Sequence, residues 1–352
     1  MNKMTKILVV LISVFSLSTS AFAGALSVTG TAKASYNIGG ADQNAGKGLG
    51  ISNEIGLGAS GELDNGWTWN YAIALDPAAT TGTANNDDQS LTLTTSYGTV
   101  GAFITTGGLS TETGWGIGAN GVGNDFASTM TAVYGNDISD YHNVQYHTPA
   151  GLLPFGATIK VGYAPNMANT TTTAADFKSD GSVNTQELGS SAVHYQVSAS
   201  PISGLSVGAD YFETNDGYTT GQKPTAGNAY AKYTSGPVTV GYRTGFNDVG
   251  ITAKSAAITN YENVAYGLQV ALNDQISVSY STEKNKKRTR AAIVNSATSA
   301  VKTDLESTTN HIQLAYNIGG ATVGITNVDA SDSDFTAGKN ETKTLLTIAM
   351  AF

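Results

Sequence analysis

The sequence predicts an all-β chain: a transmembrane antiparallel β-barrel of about 16 strands, with short turns at one rim and long loops at the other. Three observations carry this. Apolar and polar residues alternate with a period of two, as in Leu26, Val28, Gly30, Ala32, Ala34, Tyr36 and Ile38 against Ser27, Thr29, Thr31, Lys33, Ser35 and Asn37, so each segment has one greasy and one wet face. Many segments run near the 9–11 residues of a tilted bilayer crossing, longer than the roughly five or six of an ordinary strand. The connections alternate strictly between tight turns and long polar loops, the layout of outer-membrane barrels.

The first 23 residues read as a signal peptide. Lys3 and Lys6 form a positive start, Ile7 to Leu17 is an apolar stretch, and Ala21-Phe22-Ala23 is an A-x-A cleavage site. Cleavage after Ala23 leaves 24–352 as a single barrel domain. It removes two lysines and no acid, making the mature chain two charges more negative than the −9 of the whole.

Strands follow near 26–38, 51–63, 67–75, 89–97, 100–106, 141–148, 153–163, 190–200, 205–213, 227–234, 238–246, 261–272, 276–283, 308–318, 321–328 and 341–352. Every second link is rich in turn formers: Asp64-Asn65-Gly66, Gly98-Thr99, Thr148-Pro149-Ala150, Pro201 to Gly204, Ser235-Gly236-Pro237, Asn273-Asp274 and Gly319-Gly320. The others are long, including 76–88, 107–140, 164–189 and 283–304. No stretch after the signal approaches an 18-residue apolar run, and in hydrocarbon only helices or closed barrels satisfy their backbone groups. Aromatics fall near strand ends on the outward face. Tyr97, Tyr146, Phe155, Tyr233, Tyr316 and Phe352 lie toward the short-turn rim, and Tyr36, Tyr163, Tyr211, Tyr242 and Tyr280 toward the loop rim.

Composition excludes several functions. With no cysteine there is no disulfide scaffold, thiolate metal site or cysteine nucleophile. Net negative charge argues against a nucleic-acid partner, which needs a basic surface. Gly116-Ile117-Gly118-Ala119-Asn120-Gly121 has dinucleotide-motif spacing, but neither the strand before it nor the helix after it that the motif requires. His142, His147, His194 and His311 are too scattered for a metal-ligand run, and the last three read as solvated lumen lining. No catalytic residue, cofactor or metal is expected. A secreted β-solenoid or adhesin would alternate as well, but with a fixed short repeat that is missing here. A barrel enzyme would need a Ser/His or Asp/His constellation, which nothing marks.

The last strand places Thr344, Leu346, Ile348, Met350 and the terminal Phe352 on one face. It resembles the closing strand of bacterial outer-membrane proteins, which the barrel-assembly machinery reads. Gly61-Glu62-Leu63-Asp64-Asn65-Gly66-Trp67 resembles the first hairpin of general bacterial porins, and Asn143 to Pro149 with Phe155 to Pro165 is similar to that family's sixth and seventh strands. The resemblance spans essentially the whole mature chain. It implies a sixteen-stranded homotrimer in the outer membrane of a Gram-negative bacterium, passing small hydrophilic solutes and ions by passive diffusion.

The resemblance also implies a third loop folded into the lumen, its acids facing basic residues on the wall. The candidates are Glu112, Asp125, Asp137 and Asp140 on the loop and Lys33, Lys160, Lys232 and Arg243 on the wall. Inward Glu54, Glu62 and Asp210 bring acids above bases along the path, so modest cation selectivity is expected. Small outward residues on the first two strands (Gly30, Ala32, Ala34, Ala59, Gly61) point to subunit contact there. Lys284, Lys286, Lys287, Arg288 and Arg290 crowd one long loop, expected to be extended and mobile unless anions neutralise it, and able to meet lipopolysaccharide phosphates.

Overall fold

The computed structural model describes residues 25–39, 48–77, 84–117, 137–165, 191–215, 223–249, 258–290 and 302–352. The expected signal segment, Asp125 and much of the stretches expected as long loops lie outside these residues.

Sixteen strands close into one antiparallel barrel. They are β1 (Ala25–Gly39), β2 (Gly48–Glu62), β3 (Thr68–Pro77), β4 (Ala84–Thr95), β5 (Gly98–Ile104) and β6 (Asn143–His147). Then come β7 (Thr158–Ala164), β8 (Ser191–Ala199), β9 (Leu205–Asn215), β10 (Thr225–Ser235) and β11 (Val238–Asp248). β12 (Ile258–Ala271), β13 (Ile276–Arg290), β14 (Lys302–Ile318), β15 (Ala321–Ser331) and β16 (Glu341–Ala351) complete the wall. Each strand pairs with its sequence neighbours, and β1 pairs with β16, with Lys33 opposite Ala349 and Ala34 opposite Ile348. Closure leaves no sheet edge for lipid to meet.

The short turns are held by the chemistry their residues suggest. Asn65 Oδ1 accepts from the Trp67 amide at 3.1 Å, and Gly66 takes a φ of 78° that a β-carbon would disfavour. Asn273 Oδ1 accepts from the amides of Gln275 and Ile276 at 2.9 and 2.8 Å. One expected turn is longer. A 3-10 turn over Pro154–Gly156, with Phe155 at a φ of 61°, delays β7 to Thr158.

Alternation puts the apolar residues outside, where a water-soluble protein would hide them. Leu26, Val28, Leu49, Ile51 and Leu91 are more than half exposed, and every tyrosine and phenylalanine expected in the two girdles is exposed. Two outward glycines are covered from within the chain. The Trp69 ring lies over Gly61 and the Phe352 ring over Gly30, so neither is open to a neighbouring subunit; Ala32, Ala34 and Ala59 remain as small outward residues.

The basic segment is strand rather than loop. β13 runs on through Arg290, paired with β12 on one side and β14 on the other. Lys284, Lys286 and Arg288 share the outward face with Tyr280, and Arg288 lies about 27 Å along the strand beyond it at roughly 3.4 Å per residue. Acids on the flanking strands remove the expected self-repulsion: Lys286 Nζ is 2.9 Å from Glu306 and Arg288 Nη1 is 2.5 Å from Glu262. Lys287 points the other way, with Nζ 5.8 Å from the Tyr261 ring centre.

Candidate functional site

The described parts of the connection between β5 and β6 fold inward and pack on the barrel wall. They are 105–117 and 137–142. Leu109, Trp115, Ile117 and Ile138 are buried, although they belong to a loop. They rest on inward positions of the wall that carry little or no side chain. Gly162 lies under Leu109 and Ile138, and Gly241 and Gly267 lie under Ile117. Leu109 and Ile138 cluster with Ala164, Ala192, Phe212 and Ala226, and Trp115 and Ile117 with Ala265. The run of glycine and alanine at inward positions from β7 to β12 is therefore a trough that receives the loop.

Polar side chains at alternate wall positions fasten the loop's backbone, whose amides and carbonyls would otherwise be buried unpaired. Asn143 Nδ2 donates to the carbonyls of Ile138 and Tyr141 at 3.1 and 3.0 Å, and Gln145 Nε2 to that of Gly107 at 2.5 Å. Gln196 Nε2 donates to the Leu109 carbonyl at 2.8 Å. Asp210 Oδ1 accepts from both the amide and the hydroxyl of Thr111 at 2.6 Å.

Asp137 joins the two ends of the loop. It accepts from the amides of Leu109 (2.9 Å) and Ser110 (2.8 Å) on the incoming arm. On the outgoing arm it caps the 3-10 turn Ile138–Asp140 by accepting from Ser139, while Asp140 accepts from the Asp137 amide. Burial raises its carboxyl, but the His194 hydrogen bond, the His194 charge and the two amides outweigh that and bring it down to about 2. Asp140 is raised, chiefly by burial. His194, fully buried, stands between Asp137 Oδ1 (3.4 Å from Nδ1) and Asp210 Oδ2 (3.2 Å from Nε2).

Further along, Arg243 reaches the loop. Its Nη1 donates to the Glu112 backbone carbonyl at 2.9 Å, and its guanidinium lies 5.4 Å from the Trp115 ring centre. Its carboxylate partner is Glu283 of β13, 3.3 Å from Nη2. Asn263 Nδ2 holds the other Glu283 oxygen at 2.7 Å. The Glu112 carboxyl is pushed up to about 7, first by burial, with Asp137, Glu283 and Asp210 adding to the rise and Arg243 opposing it.

Asp137 meets a histidine, Asp210 is a wall acid that holds the loop, and Arg243 is compensated by its own wall. Lys232 lies beside Gly116 of the loop. Lys160 pairs across the ladder with His147, and Lys33 with Ala349 and Ser52 on the far side of the barrel. His194 is a buried link rather than solvated lining. Nothing in its local sequence marks it, whereas the inward small residues were a readable signal for the trough. Among the described residues, no three His, Asp or Glu side chains converge as metal ligands.

A family profile described as Gram-negative porin matches residues 8–334. No curated protein matches the sequence. Solved structures with this fold include OmpT of Vibrio cholerae, folded in vitro and in a trimer form, at 13% identity and a TM-score of 0.63, covering 94% of this chain and 100% of that one. An anion-selective porin from Comamonas acidovorans is 13% identical at a TM-score of 0.64, with the same coverage. OmpF of Salmonella typhi in complex with daunomycin is 14% identical at 0.60, covering 94% and 98%.

Proposed function

We propose, from the premise that this chain belongs to the family of Gram-negative porins and is an outer-membrane channel, that it passes small hydrophilic solutes and ions by passive diffusion through a loop-narrowed lumen, with a modest preference for cations. The observation that carries the reading is the inward loop, seated on a trough of small wall residues and tied to it by Asp210, His194 and Arg243. A loop held this way narrows the lumen on the side of β7 to β12, while Thr29, Thr31, Ser52 and Asn70 give the opposite wall polar inward positions. Glu112, Asp125, Asp137 and Asp140 are its acids, with Lys33, Lys160, Lys232 and Arg243 on the wall.

The preference for cations rests on charge placement. Arg243 is matched by Glu283, while Glu54 and Glu62 lie on inward positions of β2. An anion-selective porin shares the fold, so the lining and not the barrel decides the sign. Reversal potential across a planar bilayer in a dilute KCl gradient tests this. A potassium-favouring potential is expected; a chloride-favouring one overturns the selectivity, and no conductance overturns the channel reading.

The assembly we assign is a homotrimer of the mature chain 24–352, joined through the outward faces of β1, β2 and β16. An apolar groove of about 320 Å³ lies there between Ala34, Tyr36, Leu49, Leu346 and Ile348. Phe352 is the contact offered to the barrel-assembly machinery. Lys284, Lys286 and Arg288 stand at the height of lipopolysaccharide phosphates. With Glu262 and Glu306 interleaved, that contact is weaker than a run of uncompensated cations would make.

A further inference from the structure

His194 Nδ1 faces two groups with opposite requirements. The Ile138 amide, 3.3 Å away, donates a proton and needs a lone pair on Nδ1. The Asp137 carboxylate, 3.4 Å away, accepts and needs a proton on Nδ1. Nε2 is 3.2 Å from Asp210 Oδ2 and donates in either state. A neutral ring protonated on Nε2 therefore serves Ile138 and turns a lone pair toward Asp137. A ring protonated on both nitrogens serves Asp137 and deprives Ile138 of its acceptor. One proton exchanges one attachment for the other.

The exchange occurs where the loop is fastened. Asp137 holds both of its ends, through Leu109 and Ser110 on one side and Ser139 on the other. Ile138 is fully buried beside Gly162. The Phe212 ring meets the imidazole edge-on at 5.6 Å, so the ring is held in place while its hydrogen-bonding character changes. The charged groups facing it are Asp137 and, one turn on, Asp140 from the loop, and Asp210 from β9. Asn228 of β10 and Gly162 of β7 bring no charge. Glu112 stands further along the loop and interacts with Asp137 and Asp210.

We propose that His194 is a positioning residue of the channel: its protonation state selects which loop group it holds, and so sets the seat of the inward loop. The inference rests on the channel reading above. It acts through the loop and involves no contact with solute.

Single-channel recording in 1 M KCl, where through-space charge is strongly screened, between about pH 5 and pH 8 tests it. Wild type is expected to show an inflection in open-channel conductance or noise. His194→Gln, which can still bond Asp210 but cannot titrate, is expected to lose the inflection, and Glu112→Gln to keep it. An inflection surviving in His194→Gln, or vanishing in Glu112→Gln, overturns the proposal. If His194→Gln does not assemble, nitrogen NMR of labelled histidine in wild type decides. Nδ1 of His194 should gain a proton across the range in which conductance changes, and an Nδ1 that does not change overturns it. A wild-type barrel that never conducts overturns the channel reading instead, and the NMR titration then decides the junction alone.

Discussion

The Phe352 ring covers Gly30 so closely that a β-carbon on Gly30 would overlap it. The two residues also exchange backbone hydrogen bonds, Gly30 N to Phe352 O at 2.8 Å and Phe352 N to Gly30 O at 2.9 Å. Phe352 therefore extends the seam between β1 and β16 by one more pair. Gly30→Leu should displace the ring and cost about 1–3 kcal/mol, as overpacking does. The temperature at which the folded band converts on semi-native gels should fall, and an unchanged temperature would remove the seam from the account.

Gly241 is one of the places where the trough packs closely under the loop. A β-carbon there would meet Ile117 Cγ1 at 2.7 Å and the Trp115 carbonyl at 2.8 Å. Gly241→Val should lift Trp115 and Ile117 off the wall while leaving the ladder to β10 and β12 intact. Conductance should change with barrel assembly retained; equal conductance in mutant and parent would mean that this contact does not set the loop.

Arg243 and Glu283 are both buried, at 4% and 7% exposure. Removing one partner of such a pair typically costs about 3–5 kcal/mol, because the other charge is left buried. Arg243→Met and Glu283→Gln should each lower resistance to urea, and the double mutant should be less damaged than the sum. Simple additivity would show that the pair is not coupled.

Glu112 should make ion selectivity depend on pH. With its carboxyl pushed up to about 7, it is neutral well below that and gains its charge as pH rises through it. Potassium preference in dilute salt should therefore increase from about pH 6 to pH 8, and increase less in Glu112→Gln. The linkage sign is also defined. A carboxyl raised from its ordinary 4.5 binds protons more tightly when folded, so its contribution to stability is fullest below that value and falls as pH rises through about 7. A preference that falls with pH in wild type would contradict the charge assignment.

Ala32 points outward on β1, in the face assigned to subunit contact. Ala32→Arg should break the trimer on native gels while the monomer barrel still folds. An unchanged oligomer would move the interface elsewhere.

The barrel was legible in the sequence because its causes are local. A period of two fixes which face of each strand meets lipid, and Asn65, Gly66 and Asn273 mark turns through their own backbone preferences. The girdle tyrosines follow from their positions at strand ends. The inward loop's attachment was decided by tertiary structure alone. Thr111 and Asp210 are 99 residues apart, and Arg243 and the Glu112 carbonyl are 131 apart. No local pattern distinguishes a lumen histidine in water from one buried between two carboxylates. The same holds for β13: Lys284 to Arg290 reads as a self-repelling loop until the closed register sets Glu262 and Glu306 against it. Alternation is written along one strand, whereas charge compensation is settled only between strands.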